Sequence, residues 1–183
     1  MPRDDGGLAQ AMKSGRKHDG GMKRKPAGGR GDDGKIVRAF RVEDYGAVMK
    51  LWQRSEGVGL NESDTRRAIA AYLRRNPRLS IVAEKNGRII GALLCGHDGR
   101  RGYLHHLAVA KRHRRRGIGR QLVNVCLAKL RRAGIPKCNI FIFADNTEGM
   151  KFWAHAGWSL RTELRLMQIR LDDGHRAGRN RTC

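Results

Sequence analysis

At 183 residues the chain has room for one domain with a full hydrophobic core, and its apolar runs fall far short of the roughly 18 residues a membrane helix needs. A formal charge of +22 fits a polyanionic partner or a phosphorylated co-substrate. That excess belongs to the folding part of the chain, because residues 35–171 hold 28 Lys/Arg against 10 Asp/Glu.

Residues 1–34 contain nine glycines and no Phe, Trp, Tyr, Ile, Val or Cys. Such a segment buries too little apolar surface to offset the entropy of ordering, so a disordered basic extension is expected there, and a short disordered tail over 172–183. The N-terminus has no apolar core of a secretory signal, and the expected location is the cytoplasm, with no membrane attachment. Cys95, Cys126, Cys138 and Cys183 form no C-x-x-C pair and read as free thiols, so no metal is expected.

From Lys35 the run KIVRAFR alternates as a strand does. Glu43 and Asp44 open a first helix reaching about Arg54, acidic at its start and cationic at its end as the helix dipole favours. Gly57 and Gly59 break it. Ser63 or Asp64 can cap a second helix, TRRAIAAYLRR, which Asn76 and Pro77 end. Two apolar runs around Asn86-Gly87 read as a hairpin. Residues 103–110 make a fourth strand, and Ile118, Leu122, Cys126 and Leu130, four apart before Gly134, mark a third, amphipathic helix. CNIFIFAD is a fifth strand, residues 147–156 a fourth helix, and residues 158–171 one bent strand or two. The order β-α-α-β-β-β-α-β-α-β(-β) predicts an α/β domain over 35–171, with a mixed six- or seven-stranded sheet and helices on both faces.

Chemistry concentrates between the fourth strand and third helix, in LAVAKRHRRRGIG at residues 107–119. Glycines there let a backbone approach a ligand closely, and a helix N-terminus supplies unpaired N–H groups with partial positive charge, a ready site for pyrophosphate. The segment lacks the Lys-Ser/Thr pair of a P-loop and the third glycine of a dinucleotide fingerprint. It resembles motif A of the GNAT acetyltransferases, L-x-V-x-x-x-x-R/Q-x-x-G-x-G/A, through Leu107, Val109, Arg114, Gly117 and Gly119. NTEGMKFWAHAGW, residues 146–158, resembles that family's motif B, and within the family the chain is most similar to small bacterial YpeA-like members.

The resemblance implies an acetyl-CoA-dependent N-acetyltransferase. Acetyl-CoA would lie in a gap between the fourth and fifth strands, its pantetheine arm on the main chain of Leu107, Ala108 and Val109. The pyrophosphate would lie on Arg114 and the amides of Arg115, Arg116, Gly117, Ile118, Gly119 and Arg120, with Asn146 a further contact. The other partner would be a primary amine on a small molecule or protein, and the assembly a monomer or homodimer.

The attacking amine must lose a proton and the leaving thiolate must gain one. Because a strand alternates with a period of two, the side chains of His105 and His106 must point to opposite faces and only one can face the cleft; His105 shares a face with Tyr103, Leu107 and Val109 and is chosen as base or water-positioner. Where many family members carry an acid tyrosine this chain has Trp153, whose indole N–H is not a usable acid. Glu56, Glu62 and Asp64 are candidates to hold a cationic acceptor. The charge leaves open a basic nucleic-acid-binding module, or an acetyltransferase acting on ribosomal or nucleoid proteins, with polyanion contact in either case.

Overall fold

The computed structural model describes residues 34–171. The extension expected over 1–34, Gly34 apart, and the tail expected over 172–183 lie outside the described residues. Strands β1 (Lys35–Ala39), β2 (Ile81–Lys85), β3 (Arg88–His97), β4 (Gly102–Val109) and β5 (Cys138–Ile140) stand side by side in chain order. The first four are antiparallel neighbours, and β5 joins β4 in parallel. A parallel pair needs a crossover, and helix α3 (Ile118–Arg132) supplies it. Helices α1 (Tyr45–Gln53) and α2 (Arg66–Arg75) cover one face of the sheet, α3 covers the other, and α4 (Thr147–His155) follows β5.

Local chemistry explains each joint. Asn86 and Gly87 both take left-handed backbone, φ 50° and 71°, which makes the β2–β3 connection the tight turn its sequence predicts. The cap of α2 differs from expectation: Thr65 accepts from the Ala68 amide, while Asn61 and Asp64 close a preceding 3-10 turn. Arg38 on β1 staples the start of the helical segment to the sheet by pairing with Asp44 at 2.7 Å and with Glu84 of β2 at 2.8 Å. The α3 face buries Leu93, Cys95, Leu104, Ile118, Leu122, Cys126 and Leu130, and the α1/α2 face buries Phe40, Val48, Trp52, Ile69 and Val82. Cys95, Cys126 and Cys138 are free thiols; the hydrogen bond with Cys95, and next burial, push the Cys126 thiol up, and burial pushes that of Cys138 up to about 12. No helix among the described residues is long and apolar enough to cross a membrane.

Two expectations fail at the C-terminal end. The fifth strand is only three residues long, and residues 158–171 form no strand, so the sheet has five strands among the described residues instead of six or seven. Alternation in a sequence assigns faces, but a strand also needs a partner edge. Here β5 ends at Ile140, leaving Phe141 and Phe143 exposed, and Leu160, Leu164, Leu166, Met167, Ile169 and Leu171 are exposed as well.

The contrast between a packed and an unpacked leucine is measurable. Leu122→Ala should lower stability by about 3 kcal/mol, because Leu122 is 0% exposed in the α3 core. Leu166→Ala, at a residue 71% exposed, should change it by less than about 0.5 kcal/mol. Urea unfolding of both variants decides the point, and a large loss at Leu166 would put residues 158–171 back on the sheet.

Candidate active site

The site begins with a break in β4. Leu94 faces His105 and Ala92 faces Ala108, so one residue of β3 stands opposite two of β4, a β-bulge at His106 and Leu107. His106 adopts φ 54°, a left-handed conformation rare for a non-glycine residue. The extra residue reverses the alternation. Leu104, Leu107 and Val109 all pack on the α3 core, whereas Ala108 joins the α1/α2 core. The expected opposition of the two histidines is therefore wrong, as is the shared face of His105 with Leu107 and Val109. The His105 ring lies 6.3 Å from Tyr72 of α2, and the His106 ring lies 4.9 Å from Trp52 of α1. Both histidines face α1 and α2. Among the described residues no group of three or more His, Cys, Asp or Glu gathers as metal ligands would.

His106 is tied to the segment before α2. Its Nε2 lies 2.7 Å from Asp64 Oδ1, with both side chains nearly buried, and Asp64 Oδ2 accepts from the Asn61 amide. Of the three acids expected to hold an acceptor, Asp64 is thus a structural partner of His106. Glu56 pairs with Lys111 at 2.8 Å and Arg114 at 3.6 Å, and Lys111 and Arg114 hold its carboxyl below the usual range. Glu62 lies 3.8 Å from Arg170.

His105 is differently placed. It lines a cavity of about 250 Å³ with Tyr72, Asn76, Asp98 and Tyr103. Burial, and next the neighbouring His106, push its pKa below the ordinary 6.5, opposed by Asp64. A neutral imidazole at neutral pH can accept a proton. Tyr103, His105 and Phe141 stack with ring centroids 6.3 to 6.5 Å apart, a flat wall beside that imidazole. Burial pushes the Tyr72 phenol up, and the Asp98 carboxyl is held low by the amides of Arg101 and Arg100.

Past the cavity the sheet splits. The β4–β5 ladder stops at Leu104 opposite Ile140, so from His105 onward the β5-side edge of β4 has no strand beside it. Ala110 donates to Ile90 of β3, and the alternation of an antiparallel ladder then turns the polar groups of Ala108 to β3 and those of Leu107 and Val109 to the open edge. The open edge leads to the start of α3, which no side chain caps. Gly117 there has φ 75°, and a Cβ on it would meet nothing within 4 Å. Its carbonyl takes the first helical bond, from Gln121, and the amides of Ile118, Gly119 and Arg120 have no helical acceptor. Ile118 is buried and offers only its amide.

Around this cradle Arg114 Nε donates to the Val109 carbonyl, Arg115 lies 4.0 Å from Glu148, and Arg120 donates to the His155 carbonyl at the end of α4. Arg116 turns instead toward the β2–β3 turn. Asn146 caps α4 by accepting from the Gly149 amide, and its Nδ2 lies against Gly57, where an added Cβ would come within 2.2 Å. A Cβ on Gly59 would come within 2.5 Å of the Phe143 ring. The loop between α1 and α2 thus spans the split, with Glu56 on the β4 lip and Gly57 and Gly59 on the β5 lip. Trp153 packs on Phe152 and Trp158 against the α3 core.

A model of the acetyltransferase (GNAT) family matches residues 45–158, which is more than half of the chain. The chain belongs to that family. An acetyltransferase of Sodalis glossinidius is 30% identical over 135 residues, covering 74% of this chain and 94% of its own. Among solved structures, Ard1 of Thermoplasma volcanium superposes with a TM-score of 0.63 at 22% identity, covering 70% of this chain and 84% of that one. The PaiA N-acetyltransferase of Thermoplasma acidophilum, in complex with coenzyme A, also gives 0.63 at 16% identity, covering 69% and 91%. This GNAT protein is accordingly an acyltransferase with the fold of its neighbours.

Sequence reasoning missed the Asp64–His106 bond and the role of Trp52. A signal was present: L-H-H-L at residues 104–107 sets two leucines three apart in a strand, and both can face one core only if a residue is bulged out. Breaking the bond should be costly. Asp64→Ala should lose about 1–3 kcal/mol by leaving a buried imidazole without its partner, whereas Glu62→Ala, at an exposed ion pair, should lose less than about 1 kcal/mol. Equal losses in thermal unfolding would deny the bond any special role.

Proposed function

We propose that this protein transfers an acetyl group from acetyl-CoA to a primary amine of a small molecule or protein, with His105 as proton acceptor. The observation that carries the reading is the continuous path from His105 along the open edge of β4 to the uncapped start of α3. The outward polar groups of Leu107 and Val109 suit an amide-bearing arm. The left-handed Gly117, with free space on its Cβ side, suits a pyrophosphate, and the dipole of α3 favours an anion there by about 0.3–2 kcal/mol. Arg114, Arg115 and the amides through Arg120 would hold the phosphates, and Asn146, whose Oδ1 accepts from Gly149, would offer Nδ2 to the arm.

Acetyl-CoA supplies an activated acyl group. The amine nitrogen bonds to the thioester carbonyl carbon, the C–S bond breaks, and the amine proton passes to neutral His105. The imidazolium so formed, or water, returns a proton to the leaving thiolate, so no tyrosine is required at Trp153. His106, bonded to Asp64, acts by holding the bulge that aims His105 into the cavity.

Because the His105 pKa is lowered, its neutral form persists as pH falls, and the acid limb of kcat should lie below pH 6.5. His105→Gln should reduce kcat by roughly 10²-fold with little change in KM and remove that limb, while His106→Gln mainly lowers stability. Equal small effects from both would strip His105 of its role.

Binding is tested at Gly117. If acetyl-CoA binds only the native state, 100 times Kd should stabilise the wild type by about 2.7 kcal/mol. Gly117→Glu puts a carboxylate where phosphates belong and should abolish that gain in a thermal-shift assay while the unliganded variant still folds. Absence of any shift in the wild type would remove the main support for this function.

A further inference from the structure

A row of like charges crosses one end of the sheet. Lys35 stands opposite Lys85 in the β1–β2 ladder, and Lys85 stands opposite Arg88 in the β2–β3 ladder. Directly facing side chains share a face of the sheet, and like charges in that relation destabilise it. β4 finishes at the same end, where Val109 faces Gly91, and the chain leaving it adds Arg112, His113 and Arg116. All but Lys35 of these six line one concavity of about 560 Å³, and none of its lining residues is acidic.

Two nearby acids are engaged elsewhere. Glu84, next to Lys85, turns to Arg38, and Glu56 serves Lys111 and Arg114. Among the described residues no carboxylate lies within ion-pair distance of Arg88, Arg112 or Arg116. A concave surface lined by one sign of charge focuses its field and concentrates the opposite ion. Planar guanidinium groups suit phosphate oxygens in particular, two at a time. The volume lies within the roughly 300–1,000 Å³ typical of small-molecule sites. The concavity also lies on the β3 side of β4, while the split proposed for acetyl-CoA lies on its β5 side.

We propose that this concavity is a second anion site, which takes a phosphorylated ligand of nucleotide or oligophosphate size at the same time as acetyl-CoA occupies the split.

The probe is inorganic tripolyphosphate, titrated calorimetrically into the full chain alone, with saturating acetyl-CoA, and with saturating acetyl-dephospho-CoA. At least one equivalent should bind to the chain alone, and one equivalent should remain in both arms in which the co-substrate fills the split. Arg88→Glu and Arg112→Glu should each weaken the probe at least tenfold, leave KM for acetyl-CoA within twofold, and leave the melting temperature unchanged. Lys50→Glu, the same charge change at an exposed residue of α1, should weaken it less than threefold. Loss of probe binding with acetyl-CoA but not with acetyl-dephospho-CoA would make the concavity the seat of the co-substrate's own 3′-phosphate and overturn a separate site. No binding to the wild type, or equal weakening by Lys50→Glu and Arg88→Glu, would overturn it too. Arg88-dependent probe binding in a protein that fails to bind acetyl-CoA would keep the anion site and sink the acetyltransferase mechanism instead, so the two failures are distinguishable.

Discussion

The bond between His106 and Asp64 is the constraint on which the rest of the site depends. A histidine in left-handed backbone inside a strand stores roughly 1–3 kcal/mol of strain. A buried hydrogen bond involving a charged group contributes about 1.5–3 kcal/mol, the same size, so the bond is sufficient to keep the bulge in place. With the bulge kept, β4 changes phase between His105 and Leu107. Two histidines then face α1 and α2 while Leu104, Leu107 and Val109 all reach the α3 core. Trp52, packed on the His106 ring, ties the same point to α1.

The second organising feature is where β4 and β5 stop pairing. Only three residue pairs join them, and the ladder ends one residue before His105. The proton acceptor proposed for the reaction therefore stands at the apex of the split, with its cavity on the α2 side and the open edge running toward α3. The loop between α1 and α2 crosses that split through Glu56, Gly57 and Gly59. Glycine at position 57 is required twice over, by φ 75° and by the close approach of Asn146.

Electrostatics separates the arginines by neighbourhood. Arg38 meets two carboxylates and serves the fold, whereas among the described residues no carboxylate lies within ion-pair distance of Arg88, Arg112 or Arg116, which line one concavity. The same net charge that composition reports as one number is therefore divided between internal staples and an outward-facing basic concavity. Exposed pairs such as Glu56–Lys111 contribute little to stability, and they place a loop more than they hold the domain.

Much of this was legible in the residues themselves. Period-4 spacing in α3, the Asn86-Gly87 turn, the glycines before α3 and the absence of an acid at Trp153 are local properties, fixed by backbone sterics and side-chain chemistry, and the sequence by itself determined them. Three things were decided only by tertiary structure. Residues 158–171 alternate as a strand would, yet a strand exists only if another chain segment offers an edge, and β5 is too short to offer one. Asp64 reads as a cap or an acceptor anchor until folding brings it to His106, 42 residues away, where burial shields the pair from water. The faces of His105 and His106 depend on one inserted residue, because alternation propagates from the last regular pair and a single bulge reverses every side chain beyond it.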